Sequence, residues 1–374
     1  MAKLSIAEVK SLLNSVVTKA KISNPSFSET RDNVVGLLDK IGKIATLDTS
    51  FQIDKLYMFD GEYLSFGKTI EEWQQDLILP SDFDSSGSGA LSPSDPTYRP
   101  VDYSYTLGRK KIKTTIRNDN IERAVHFEEQ LVSIVAMQFK RIEDSMAVYR
   151  YGLKKEMLAK YIALCEEPYA STTTFAISTA YDVGDYVRQA SSGDGAKVFA
   201  VVVKPIAASN SHNWAAAVAA GELIVLDLFE VLAKPVDTST GEAFVKAVKK
   251  SLEKAQDVSE GHSLNGNTLG ATERLVLIVK QGIIPDLEVE TYAGAFHRDD
   301  LAFPADIVVV NDFGSAADKY YAVLMDARGM RLHNTYNATR EQINGDGDFL
   351  NVFRHTEDTA HVSRNTFIRV FKSE

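Results

Sequence analysis

The chain has a single cysteine, Cys165, in 374 residues, so no internal disulfide can staple it. That usage suits assembly in a reducing cytoplasm, and Cys165, near the end of a helical stretch, reads as a small buried hydrophobe. No apolar run approaches the length that spans a bilayer, and no membrane partner is expected. The opening MAKLSIAEVKSLLNS lacks both a continuous apolar core and a small-residue cleavage site. It reads as a short amphipathic helix on Leu4, Ile6, Val9, Leu12 and Leu13. Positive charge is in deficit: 41 Lys and Arg against 51 Asp and Glu give a net charge of −10. This argues against a protein that grips DNA over a wide surface, though not against one that encloses it.

Catalytic and ligand-binding patterns are missing too. Gly67-Lys68-Thr69 resembles the end of a phosphate-binding loop, but the required earlier glycine falls on Glu62, and Gly61 is one residue too early. Asn344, Asp346 and Asp348 resemble the start of a calcium loop. The glycine position is Phe349 and the closing carboxylate position is His355, so a glycine-containing hairpin turn fits better. His355 and His361 do not meet zinc spacing. Ser85 to Gly89 is SSGSG inside a polar run, not a nucleophile elbow. The acid pairs Glu71/Glu72, Glu128/Glu129 and Asp299/Asp300 are sequence neighbours, whereas a catalytic dyad converges across a cleft. The expectation is no enzyme, no cofactor and no metal.

What is present begins with a long periodic stretch. From Ile121 to Glu166 apolar residues recur at Ile121, Val125, Val132, Val135, Phe139, Ile142, Met146, Tyr149 and Leu153, in steps of three and four. This predicts a helix on the order of 65 Å long, stopped before Pro168, with Gly152 as its candidate bend or break. Its polar face, including Lys154 and Lys155, is expected to be wet.

Before this rod, Val34, Val35, Leu37, Leu38, Ile41 and Ile44 form an amphipathic run. From Tyr57 to Asn118 the character changes. Strand-like segments at Leu56–Phe66, Val101–Leu107 and Lys110–Ile116 flank a Ser/Asp/Gly/Pro centre from Ser81 to Pro96. Together they describe a projecting finger that must find apolar contacts on another molecule. After the rod, strands are expected at Thr172–Thr179, in a hairpin of Tyr181–Val187 and Lys197–Lys204, and at Leu223–Leu232. Glu242–Gln256 reads as a helix, Ser259–Gly270 as a loop, and Leu275–Val279 and Ile307–Val310 as strands buried on both faces. Leu287–Phe296 reads as a short helix. Strands at Tyr320–Met325, Met330–Tyr336, Phe349–Arg354 and Phe367–Phe371 complete an α+β chain.

This order of parts resembles the Hong Kong 97-type fold of tailed-phage major capsid proteins, and the wording resembles the phi-29-like podophage branch. The matching segments are GKTIEE from Gly67, TIRND from Thr115, TGEAFVKAVKK from Thr240, DLEVE from Asp286, AGAF from Ala293, VNDFG from Val310, AVLMD from Ala322 and VSR from Val362. Each is short; their shared order across roughly residues 56–371 is specific. The resemblance implies an N-terminal arm (1–56), an E-loop finger (57–118), a peripheral domain with its spine helix (119–241), an axial domain (242–345) and return strands (346–374). Residues from about 181 to 222 exceed what the resemblance requires. They read as an inserted β module on the shell exterior; an elaborated hairpin with a core Trp214 is the plainer reading, and a glycan site the alternative.

The implied function is a self-assembling icosahedral or prolate shell around double-stranded DNA, made of pentamers and hexamers, with a scaffolding protein and a portal as partners and assembly in the host cytoplasm. An encapsulin-like compartment is the alternative, and an enzyme or binding protein with a helical arm is the rival from another class. Under the shell reading, Phe59, Tyr63, Leu64, Phe66, Ile70, Trp73, Leu77 and Ile78 of the finger are expected to be buried between subunits.

Overall fold

The computed structural model describes residues 54–75, 98–102, 104–117, 128–190, 198–208, 213–268, 274–283, 305–347 and 349–374. The N-terminal run 34–44, the polar centre 81–96, the rod's first residues and the helix expected at 287–296 lie outside them. In chain order, a 3-10 turn at Tyr57–Phe59 precedes β1 (Glu71–Gln75), β2 (Tyr98–Asp102), β3 (Ser104–Thr106), β4 (Lys110–Arg117) and the helix α1 (Glu128–Glu166). Then come β5 (Tyr186–Arg188), β6 (Phe199–Val202), α2 (Trp214–Ala219), β7 (Leu223–Val225), β8 (Phe229–Val231) and α3 (Thr238–Gln256). The chain closes with β9 (Ser259–Ser263), β10 (Gly266–Thr268), β11 (Leu275–Lys280), β12 (Ala305–Val310), β13 (Tyr320–Asp326), β14 (Met330–Asn344), β15 (Phe349–Val362) and β16 (Ile368–Lys372).

The body is a five-stranded sheet in the order β12-β11-β13-β16-β8, with helices on both faces. Strand β11 shows why its sequence is apolar without alternation. Val276 and Ile278 pack with Leu158, Tyr161 and Ile162 of α1 in one core. Leu275, Leu277 and Val279 pack with Phe244, Val248 and Leu252 of α3 in a second. Successive side chains point to opposite faces, and both faces are covered. At about 25 cal/mol per Å2, each such side chain contributes roughly 1.5–3 kcal/mol gross. Strand β12 lies at the sheet edge and keeps Ile307 37% exposed, so burial on both faces holds for β11 but not for β12.

Helix α1 is unbroken through Gly152 over its 39 residues, about 58 Å. It ends before Pro168, which sits in a 3-10 turn. Toward its end Met157, Leu158, Tyr161, Ile162 and Cys165 all enter the first core, so the buried arc is wide there. Helix α3 begins on a capping box. Asp237 accepts from the Thr240 amide at 2.8 Å, and the Thr240 hydroxyl accepts from the Asp237 amide at 3.1 Å.

Strands β14 and β15, of 15 and 14 residues, form a long antiparallel ribbon, and β3 and β4 pair along the other edge of β15. The ribbon far exceeds the expected Met330–Tyr336 and Phe349–Arg354. The expected boundary at 345–346 falls in its turn. At that turn Asn344 Oδ1 accepts from the amides of Asp346 and Gly347 at 3.0 and 2.9 Å. This is a turn-forming use of Asn344.

Other expectations are corrected. Leu56–Phe66 is not a strand: its start is the 3-10 turn, and the strand lies later, at β1. Thr172–Thr179 holds only an isolated bridge at Thr174. The expected strand Leu223–Leu232 splits into β7 and β8, which belong to different sheets. The expected loop 259–270 contains the β9–β10 hairpin. Gly261 in β9 has φ +77°, and a Cβ there would stand 2.0 Å from the Val225 carbonyl oxygen. Only glycine permits that approach.

Strands β5-β6-β7 and α2 form a smaller unit. Its own core is Phe175, Tyr181, Val187, Ala200, Val202, Ile206, Ala217 and Leu223, with Trp214 packed against it. This core reaches back to Phe175, before the expected start near 181. Val201, alternating with Ala200 and Val202, turns to the body core instead and anchors the unit there.

Candidate assembly surface

The finger is built from its root upward. Leu56, Met58 and Phe59 are buried in the body core. Phe59 is fully covered by its own chain, so it anchors the root and is not available to a neighbour. This corrects its place among the expected contact residues. The same segment carries Asp54 and Asp60, and both reach one cation on α1. Lys154 Nζ lies 2.5 Å from Asp54 and 2.8 Å from Asp60, with its side chain 1% exposed. Arg150, one turn earlier, lies 3.5 Å from Asp60 and 3.6 Å from Asp358 of β15. The face of α1 expected to be wet therefore holds the finger root. A lysine four residues from an arginine, opposite acids that bracket LYMF, is the only signal that pointed there, and it is a weak one.

Beyond the root, residues 60–64 run beside the start of β14. The Gly61 amide donates to Leu332 O at 2.9 Å and the Leu64 amide to Asn334 O at 2.9 Å. Polar contacts continue outward. Lys68 and Arg109 both bind the Glu357 carboxylate, and Arg109 lies 3.9 Å above the Tyr336 ring. The Lys68 ammonium, then the Arg109 guanidinium, hold the Glu357 carboxyl below the usual carboxylate range. On β1, Glu72 accepts from Ser363 Oγ and Asn365 Nδ2, each at 3.0 Å, and lies 3.2 Å from His361 Nε2. Strands β1 and β2 then pair antiparallel from Glu71–Asp102 to Gln75–Tyr98.

The expected contact residues thus separate. Tyr63 is 59% exposed and Phe66 93% exposed, and Tyr57 and Tyr105 are also exposed. Leu64 and Ile70 are half-buried. Trp73 lies in β1, its side chain outside the described residues, as are Leu77 and Ile78 entirely. The Phe66 ring thus stands almost fully in water within a segment fixed by hydrogen bonds and ion pairs.

No group of His, Cys, Asp and Glu among the described residues is arranged to hold a metal ion. No helix among the described residues is long and apolar enough to cross a membrane. The one Cys165 thiol is buried, and that burial pushes its pKa up, far from the thiolate a nucleophile needs. Lys68 of the apparent phosphate loop is occupied by Glu357, and Gly67 turns the chain at φ +74°.

A family model described as Phi29-like phage major capsid protein matches residues 5–372. Among solved structures, the fold is similar to one described as the capsid structure of Staphylococcus phage Andhra. That match has a TM-score of 0.55 and 11% identity, covering 88% of this chain and 85% of the other. It is also similar to a chain in a structure of the head fiber and inner core protein gp22 of native bacteriophage P68. Here the TM-score is 0.51 and the identity 11%, with 87% and 86% of the two chains covered. No curated protein matches the sequence.

Proposed function

The chain belongs to the Phi29-like phage major capsid protein family, and from that premise we propose how its parts build a shell. Copies of the subunit assemble into the phage capsid. The finger of residues 57–118 acts as the E-loop, laid across a neighbouring subunit, and α1 is the spine of the peripheral region. Residues 1–56 form the arm, and the five-stranded sheet with α3 supplies most of the axial domain. Ring-forming contacts of this kind are heterologous: one surface meets a different surface on the next copy, and closure makes pentamers and hexamers.

The observation that carries this reading is the division of labour at the finger root. Phe59 and Lys154 fix it from within, while Tyr63 and Phe66 stay in water. Among the described residues, no partner covers Phe66. Burying it and Tyr63 under a neighbour supplies several kcal/mol gross per contact at about 25 cal/mol per Å2, part of which is offset by ordering. Repetition over a closed shell lets each contact be modest.

The shell encloses double-stranded DNA without reading its sequence, in line with the net charge of −10. A scaffolding protein and a portal complete the partners, and assembly takes place in the host cytoplasm. The unit built on β5, β6, β7 and α2, which keeps its own core, is displayed on the exterior. Sizing and negative-stain microscopy of the purified protein test the reading. Closed particles are expected; a protein that stays monomeric with scaffold present refutes it.

A further inference from the structure

One face of the ribbon sheet is basic on an otherwise acidic chain. The register of β4 on β15 pairs Lys111 with His355, Lys113 with Phe353 and Arg117 with Phe349, while Arg340 of β14 pairs with Phe353 from the other side. Directly opposed residues share a face. Lys111, Lys113, Arg117 and Arg340 are exposed, and none of them pairs with a carboxylate among the described residues. Lys111 and Lys113 lie 6.0 and 5.7 Å from the centre of the Phe353 ring. Glu357 falls on this face, but Lys68 and Arg109 already neutralise it. The opposite face carries Ile116, Leu350 and Val352, all buried. The basic strip from Lys111 to Arg117 runs about 20 Å.

A complement is present in every copy. The 22 residues joining β1 to β2, 76–97, hold Asp76, Asp82, Asp84 and Asp95 and no Lys, Arg or His. Half of that stretch, extended, reaches roughly 35 Å, enough to cover the strip. Glu72 at the finger's base is tied to His361, Ser363 and Asn365. His361 is eight residues along β15 from Phe353, a distance of about 27 Å.

We propose that the Lys111–Lys113–Arg117–Arg340 face of the ribbon sheet receives the acidic 76–97 segment of a second copy of this chain. The proposal rests on the shell reading and names the surface on which the finger lands. Apolar burial at Phe66 gives affinity, while this charge match selects the landing site and its register. Association is then salt-sensitive, because exposed pairs are screened beyond about 10 Å at 0.1 M ionic strength.

The test uses two triple variants of the full chain. One reverses the face (Lys111→Glu, Lys113→Glu, Arg117→Glu) and the other reverses the segment (Asp82→Lys, Asp84→Lys, Asp95→Lys). Wild-type particles are scored first; if none form, the shell reading fails, not this one. Each variant alone should keep the wild-type circular dichroism spectrum and lose shell yield by roughly tenfold or more. Combining both sets in one chain should restore it, and mixing the two should restore part of it, since only rings with an even number of copies can alternate. A milder face variant, Lys111→Gln with Lys113→Gln, is expected to fall between and serves if the reversal does not fold. Yield within twofold of wild type for the single reversals, or for this milder variant where it is the one that serves, overturns the proposal. So does rescue in one chain with no recovery at all in the mixture, which would put the segment on its own subunit. Unchanged yield with lost binding of a fluorescent single-stranded oligonucleotide would overturn it in favour of a nucleic-acid surface.

Discussion

Removing the Lys154 ammonium leaves Asp54 and Asp60 without the buried cation between them. Lys154 Nζ lies 2.5 and 2.8 Å from their carboxylates, and its side chain is 1% exposed. Breaking a buried ion pair by deleting one partner costs about 3–5 kcal/mol. The two acids are 26% and 41% exposed, and Arg150 still lies 3.5 Å from Asp60. Water and Arg150 therefore absorb part of the penalty, and Lys154→Met is expected to cost about 2–3 kcal/mol. In a chain of this size that lowers Tm by roughly 2.5–4 °C. The assay is thermal and urea unfolding of the unassembled subunit. Replacing both acids by Asn in the Lys154→Met background should recover more than about 1 kcal/mol, because the three groups act as one unit. A Lys154→Met protein within about 0.5 kcal/mol of wild type, or strictly additive effects, refutes the reasoning.

Gly261→Ala forces a Cβ onto the Val225 carbonyl at a left-handed φ, and should lower stability by more than about 2 kcal/mol in urea unfolding; an unchanged midpoint contradicts this. His262 is buried against Phe367. Burial, then the Arg369 guanidinium, pushes its pKa from 6.5 down to about 4. Its folded pKa lies below its unfolded one, so stability is full above about pH 6.5 and falls as pH drops toward 4. His262→Gln should flatten that slope in pH-dependent melting, and an identical slope counts against it. The Asp227 carboxyl beside it is pushed upward by burial, but the Arg369 and Lys254 cations outweigh this and hold it low. Its stabilisation is therefore lost only at still lower pH. Cys165 should react with a thiol reagent only as fast as the subunit unfolds, measured by absorbance under native conditions; rapid labelling of the folded chain contradicts its burial.

Elements with a single strong period were legible in the sequence. The rod, α3 and β11 each show one dominant pattern, and the structure contains each of them. The long ribbon was not, because from Asn334 to Asn344 β14 is polar on both faces and carries little alternation. Hairpin β9–β10 looks like a loop in the sequence, since its Gly, Ser and Asn residues serve close backbone approaches that resemble turn chemistry. Within the expected finger, β3 and β4 pair with β15 of the same chain, and the sequence did not separate its covered residues from its exposed ones. Phe59 and Phe66 are the same residue type seven positions apart, and only the packing of the body core around the first separates a core anchor from an exposed ring. Lys154 was assigned to the wet face because charge on a helix usually means solvent, and its acidic partners are distant in sequence.

The most direct test of the account compares assembly with folding for Tyr63→Ser combined with Phe66→Ser. Both rings are exposed in the subunit, so thermal unfolding of the unassembled chain should stay within about 1 °C of wild type. Particle yield by sedimentation and microscopy should meanwhile fall at least roughly tenfold, since each inter-subunit contact loses well over 1.4 kcal/mol. Normal particles from this double variant would show that the finger's exposed aromatics do not hold the shell together.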